Sequence, residues 1–328
     1  MPENILRFLK EKDKFVSGAR MSSELGISRA AVWKKIGILR RQGFIIKAVS
    51  SRGYKLIGSP DLSADEIASE IQGDFWKRIF VYESVDSTNE VAASLSIRQE
   101  IGSGTVIVAD TQENGRGRLG REWISPPGVN IYMSIILKPE LEPRDATLLT
   151  VLASVACTAA LRDTGGLPVS IKWPNDLLVA GKKVGGILTE VRSEPDKIRN
   201  AIIGIGINVN IEKNNFPSEI RSVATSVRAE TGENFSRSGI IVRILKEFEK
   251  RYKLLKRTGR GRLLDEWRRF ASTLGQNVRI AMGKEVVSGR AEDIDDEGML
   301  LLRLRSGALK KISSGEITVL RGTYLTVI

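Results

Sequence analysis

The sequence predicts an α+β chain in three parts: an N-terminal winged helix-turn-helix (1–60), a central mixed α/β domain (63–270) and a small C-terminal SH3-like β-barrel (271–328). Three observations lead there. At 328 residues the chain is too long for one ordinary domain. Its positive charge is gathered at one end: of a net +12, Met1–Gly58 hold +9, from 13 Lys and Arg against 4 Asp and Glu. Finally, the apolar periodicity is helical at the front, mixed in the middle and strand-like with frequent turns at the back.

In the first part, Ile5, Leu6 and Leu9 share a helical face, and a second short helix carries Met21 and Leu25. Gly26 suits a left-handed turn, and Ser28 is placed to cap a third helix over about Ser28–Arg41. That helix turns Val32, Ile36 and Leu39 inward and leaves Arg29, Ala30, Trp33 and Lys34 outward, with Lys35 beside them. The runs on either side of Ser50-Ser51-Arg52-Gly53 form a hairpin, a wing with Arg52 at its tip. A compact basic module of this kind favours DNA as partner, read through the outward face of the third helix, over a small helical domain used only for packing.

Gly58-Ser59-Pro60 reads as a linker. Beyond it, strands are expected at Arg78–Tyr82, Thr105–Asp110, Asn130–Leu137, Val169–Lys172, Asp176–Val179, Lys183–Val191 and Ala201–Val209. Helices are expected at Asn89–Leu95, Asp145–Leu161 and Gly239–Leu255. Strands and helices alternate too rarely for a doubly wound parallel sheet. From Leu274 onward, turns such as Asp296-Glu297-Gly298 and Ser306-Gly307 separate short strands, as in a small barrel.

Composition removes several classes of chemistry. Apolar residues are 41% and charged residues 27% of the chain, as in soluble globular proteins. The longest apolar stretch, Leu148–Leu161, falls short of the roughly 20 residues that span a bilayer, so a buried helix and no membrane partner are expected. Met1–Lys14 has no apolar signal region. The single cysteine, Cys157, sits in the apolar helix as a core residue, which points to a reducing cytoplasm. Histidine is absent, which excludes Ser-His-Asp triads, histidine bases and histidine-ligated metals. Catalysis falls to Lys, Arg, carboxylates, backbone N–H groups or a metal that arrives with a ligand.

Three stretches carry such groups. Gln112-Glu113-Asn114-Gly115-Arg116-Gly117-Arg118-Leu119-Gly120-Arg121-Glu122-Trp123 follows a strand end. Its glycines allow close approach to a ligand, and its three arginines are a costly like-charge cluster unless they hold an anion. It reads as a loop closing over an acidic small molecule, with a disordered basic loop as the alternative. Lys172-Trp173-Pro174-Asn175-Asp176 is a turn whose last two side chains suit Mg²⁺ or a nucleotide, and a hairpin leads from it to Lys183-Val184-Gly185-Gly186. Lys183 could reach a carboxylate or phosphate, or simply be solvated. Asp86-Ser87-Thr88-Asn89-Glu90 could line a site or merely cap a helix, and Asn208 ends a strand aimed the same way.

The ordered series DSTN, QENGRGRLGREW, KWPNDL, KKVGGIL and GIGINVN resembles the biotin protein ligases over essentially the whole chain. The basic winged module in front is similar to the bifunctional subgroup that doubles as biotin operon repressor. The resemblance implies a ligase domain of class II aminoacyl-tRNA synthetase-like fold. It implies biotin contacts from Ser87, Thr88, Asn89, Gln112, Arg116, Gly117, Arg118 and Lys183, with Arg118 and Lys183 catalytic. Arg121, Trp123, Lys172, Asn175 and Asn208 would serve ATP or the adenylate, and Asp176 would lie by Mg²⁺. The implied partners are the biotin carboxyl carrier protein of acetyl-CoA carboxylase, operator DNA and, with adenylate bound, a second copy of the chain. A lipoate-type ligase and a catalytically inactive ligand-sensing repressor are the competing readings.

Overall fold

The computed structural model describes residues 2–12, 14–98 and 100–320. Helices α1 (Pro2–Lys12), α2 (Gly18–Leu25) and α3 (Arg29–Arg41) are followed by the hairpin β1 (Ile45–Val49) and β2 (Gly53–Gly58). Ser17 and Ser28 accept from the Arg20 and Ala31 amides to cap α2 and α3, and Gly26 closes α2 at φ 62°. Ile5, Leu6, Leu9, Met21, Val32, Ile36 and Leu39 form the core of this part with Phe44 and Ile46, as the periodicity predicts.

The linker is short, and both sides of it are tied down. Helix α4 (Ala64–Glu70) receives α1: Arg7 donates to the Ser69 and Ile71 carbonyls at 3.0 and 3.2 Å, and Lys10 Nζ pairs with Glu66 and Glu70 at 2.6 and 2.8 Å.

The central part continues with β3 (Arg78–Val85), α5 (Thr88–Ser96), β4 (Thr105–Gln112), β5 (Ile131–Leu137), α6 (Ala146–Gly165), β6 (Ser170–Lys172), β7 (Asp176–Val179), β8 (Lys182–Ser193) and β9 (Ile198–Ile207). Helices α7 (Val227–Thr231), α8 (Arg237–Thr258) and α9 (Gly261–Phe270) complete it. The seven strands form one sheet in the order β3-β4-β5-β9-β8-β7-β6, in which only β3 and β4 are parallel. Alternation along β4 decides the layers: Val106 and Val108 face the large core under α6 and α8, and Ile107 faces the smaller core under α5. The sheet face left beside α5 carries the site.

Every expected strand and helix is present, with ends displaced by a few residues. Helix α6 departs most. It runs on to Gly165, where Gly166 at φ 63° ends it, and with the turn before it the 23 residues Pro143–Gly165 are long and apolar enough, by length and composition alone, to cross a membrane. The apolar stretch Leu148–Leu161 is thus only part of a longer helix. Its buried status stands, since twelve of its 20 residues are buried among the sheet and α8. Cys157 is fully buried there, and burial pushes its thiol pKa up, away from nucleophilic use. Helices α4, α7 and α9 were not anticipated. Helix α9 buries only Leu263, Leu264 and Trp267 of its ten residues, a pattern easily masked by its charges.

Behind α9 lie β10 (Asn277–Met282), β11 (Glu285–Ile294), β12 (Leu300–Arg303), β13 (Leu309–Ile312) and β14 (Glu316–Val319). They pair antiparallel in the order β13-β12-β11-β10-β14. Val278, Ile280, Leu300 and Leu302 join the large central core, and Trp173 Nε1 donates to the Gly298 carbonyl at 3.2 Å. The last eight positions assigned to this part, 321–328, lie outside the described residues.

One buried guanidinium joins distant stretches. Arg237, 4% exposed, pairs with Asp61 of the linker at 2.5 Å and with Asp110 near the end of β4 at 2.6 Å. It also donates to the Asn130 carbonyl at 3.2 Å, while Asp110 accepts from the Gly128 amide at 3.1 Å. Asp61 in turn accepts from the Arg237 amide through its side chain and from the Ser238 amide through its carbonyl. Burial alone would lower the Arg237 pKa, but the two carboxylates more than offset it and raise the value.

Candidate active site and DNA-binding face

A cavity of about 210 Å³ opens on the sheet face between α5, the arginine-rich loop and β14. Its floor is glycine. A Cβ at Gly204 of β9 would collide with Asn89 Oδ1, and one at Gly206 would stand 2.6 Å from the Trp123 ring. Gly186 of β8 lies under the edge of the same indole. These side chains are missing because other groups occupy their space.

At one end the lining is polar and neutral. Gln112 Oε1 accepts from the Thr88 amide at 2.9 Å and hydroxyl at 3.1 Å, and Gln112 Nε2 donates to Ser125 at 3.0 Å. Ser134 of β5 donates to Asn89 Oδ1 at 2.6 Å, and Asn89 Nδ2 donates to Glu190 at 2.6 Å. Thr88 and Asn89 are nearly buried, so this network is rigid. Ser87 occupies the N-cap of α5 but makes no side-chain capping bond, so capping does not account for it.

At the other end the lining is cationic. Lys183 Nζ pairs with Asp176 Oδ1 at 2.6 Å and stands 5.4 Å from the centre of a Trp123 ring. Arg118 donates to Asn175 Oδ1 at 3.2 Å, and Asn175 donates to the Ile187 carbonyl at 2.7 Å. Burial lowers the Arg118 pKa, opposed in part by Asp176. Arg121 pairs with Glu316 of β14 at 2.5 Å, which raises the arginine's pKa and lowers the glutamate's. Arg116 pairs with Glu90. Lys172 lines the same end.

The arginine-rich loop is folded on itself. The Trp123 amide donates to the Gly115 carbonyl at 2.8 Å and the Gly117 amide to the Arg121 carbonyl at 2.7 Å. At its tip Leu119 adopts φ 57° and is 74% exposed. Glycine spacing gave no hint of this hairpin.

Thirteen of the fourteen residues expected at biotin, ATP or the metal line this one cavity. Asn208 is the exception. It is 7% exposed and donates to the Thr225 carbonyl at 3.0 Å, so its amide holds the following loop instead of facing the cavity. Sequence reading missed Tyr132 and Ser134, which the period-two alternation of β5 would have singled out. It also missed Glu316, which only the packing of the C-terminal part brings within reach. Among the described residues no three metal-ligating side chains gather. Asp176, a lone carboxylate paired with Lys183 through Oδ1, would fit Mg²⁺ only as one ligand among water and phosphate oxygens, the usual shell of that ion.

On α3, Arg29, Ala30, Trp33 and Lys34 are exposed on one face, and Lys35 is half-buried at its flank. Arg52 sits at the wing turn with its guanidinium 4.6 Å from the Phe15 ring.

Residues 81–208 match the Biotin/lipoate A/B protein ligase family, 3–55 an HTH domain and 273–320 the Biotin protein ligase C terminal domain. The bifunctional ligase/repressor BirA of Bacillus subtilis is 40% identical over 311 residues, 94% of this chain and 95% of that one. The chain belongs to the bifunctional biotin ligase/repressor family. The Escherichia coli BirA is 30% identical over 310 residues, 93% of each chain. The solved biotin protein ligase of Aquifex aeolicus, in complex with biotin and ATP, superposes with a TM-score of 0.64 at 31% identity, covering 75% of this chain and all of that one. The chain is thus a biotin–protein ligase with a DNA-binding repressor domain.

Proposed function

We propose that this cavity joins biotin to ATP and passes the biotinyl group to a lysine of the biotin carboxyl carrier protein, and that the adenylate-loaded chain represses biotin synthesis genes in the cytoplasm. The observation that carries it is the two-ended cavity. A neutral, pre-formed hydrogen-bonding seat suits a ureido ring, and the opposite end gathers Arg118, Arg121, Lys172 and Lys183.

Biotin's carboxylate must attack the α-phosphorus of ATP, and the two anions repel. Lys183 and Arg118 offset that repulsion where the new P–O bond forms and pyrophosphate leaves. Asp176 would hold Mg²⁺, which supplies further neutralisation of the phosphates when bound. Thr88, Asn89 and Gln112 orient the ring. The folded loop, with Arg116 and Gly117 at its inner edge and Trp123 against the glycine floor, keeps water from the mixed anhydride. A neutral lysine amine of the acceptor then attacks the carbonyl and AMP departs. No step calls for histidine.

Calorimetry with biotin, with and without ATP, tests the reading together with biotin-dependent ATP–pyrophosphate exchange. Tight biotin binding and exchange are expected. Exchange with lipoate but not biotin would favour a lipoate ligase, and binding without exchange would leave only a sensor.

A further inference from the structure

Trp33 stands apart from the other four tryptophans. Trp76, Trp173 and Trp267 are at most 8% exposed, and Trp123 lines the cavity, whereas Trp33 is 71% exposed. It is the fifth residue of α3, to one side of the buried stripe of Val32, Ile36 and Leu39, and its exposure leaves most of the indole unused by the core. One turn before it come Arg29 and Ala30, one turn after it Gly37, and Lys34 is beside it. A Cβ at Gly37 would meet only the far end of Arg41, so the indole is a knob between two small residues, flanked by cations. A large apolar ring held in water on a basic helix face has complementarity to a surface that is anionic outside and carries apolar groups within. The major groove of DNA is such a surface. Its only apolar base-edge feature is the 5-methyl group of thymine.

Resting on the DNA-binding reading of this domain, we infer that Trp33 is a specificity-determining residue that reads thymine by packing its indole on the 5-methyl group. Arg29 and Lys34 hold the backbone or a guanine edge beside it. The amino-terminal half of a recognition helix is the part that reaches base edges, and Trp33 lies within it. The residue therefore adds sequence preference and contributes little to the salt-dependent part of affinity, which the cations supply.

The test uses the full chain with biotin, ATP and Mg²⁺. Duplexes are enriched from a random library by binding, and each thymine of the best duplex is then replaced in turn by uracil, which removes only the methyl group. The wild type should lose roughly fourfold at one or two positions per half-site, the worth of burying one methyl. Trp33→Ala should bind the parent duplex more weakly and lose nothing further at those positions, whereas Trp33→Phe should keep part of the discrimination. Arg29→Ala and Lys34→Ala should weaken thymine and uracil duplexes alike. A melting curve confirms that each variant is folded. A flat uracil scan in the wild type, or unchanged uracil losses in Trp33→Ala, overturns the role of Trp33 while leaving DNA binding intact. A Trp33→Ala effect on self-association instead of base preference overturns it as well. If no duplex is enriched and no salt-sensitive binding appears, the DNA-binding reading itself fails.

Discussion

Arg118 and Lys183 stand a few ångströms from the same turn but have different partners, and this separates their roles. Lys183 is tied to Asp176, at the strand where the new bond would form. Arg118 reaches from the loop to Asn175 and so fastens the loop over the cavity. Arg118→Gly should cost a charge-assisted contact of about 1.5–3 kcal/mol, more than tenfold in retention of the adenylate. The first half-reaction should persist, because Lys183 still offsets the repulsion, and the intermediate should escape to label lysines on bystander proteins. Lys183→Ala should instead slow adenylate formation. Incubating each variant with biotin, ATP and a bystander protein separates them on one streptavidin blot, and an Arg118→Gly enzyme that labels no bystander would remove the fastening role. The glycine floor gives a second expectation. Gly206→Ala would push the Trp123 indole, the ring beside Lys183, off the sheet. ATP affinity by calorimetry in the presence of biotin should fall at least about tenfold, the equivalent of about 1.4 kcal/mol, with little change in melting temperature. Charged and amide side chains at this site were legible because their types and order are costly without a ligand. Asn208 looked the same in sequence and was misplaced, since a buried amide serves a carbonyl as readily as a substrate.

Among elements, regular periodicity was read correctly and sparse periodicity was not. Strands β4, β5 and β9 declare themselves as near-continuous buried runs, and helices α3 and α8 by buried residues every third to fourth position. The short α4 buries only Ile67 and Ser69, too little to detect, yet it is the helix on which α1 docks. That contact has a pH signature. The hydrogen bond from Lys10 holds the Glu70 pKa below its ordinary value of 4.5. A carboxylate with a depressed pKa in the docked state contributes fully above 4.5, and its contribution is lost as pH falls through the depressed value. Pulse-labelled hydrogen exchange should therefore show α1 amides loosening in mild acid before the central sheet does. Lys10→Ala should remove that dependence. Identical acid profiles for the variant and the wild type would show that the pair does not secure α1.

At the scale of the molecule, the three-part order was plain from charge and periodicity, but its consequences for the site were not. The sequence reading treated 271–328 as a separate barrel, whereas β14 supplies Glu316 to the cavity wall. No pattern within one segment can announce a contact made by folding two segments together. A winged helix-turn-helix usually reads paired half-sites as a dimer. We expect biotin plus ATP to strengthen self-association in sedimentation by ordering the arginine-rich loop, and identical profiles with and without ligands would count against this coupling.

Arg237 ties the arginine-rich loop and the DNA-domain tether to one buried charge, so their openings should be coupled. Its guanidinium holds both roots of the loop, at Asp110 and Asn130, and the tether at Asp61. If the loop roots part, a buried cation loses half its counter-charge, and the remaining carboxylate must carry the whole cost. An opening at one place thus changes how often the other opens. Two amides report this directly, because those of Arg237 and Ser238 both donate to Asp61, far along the chain from any arginine of the loop. Their exchange rates should slow together with those of the loop when biotin and ATP bind. In Asp61→Ala the loop amides should still slow while protection near α8 no longer responds.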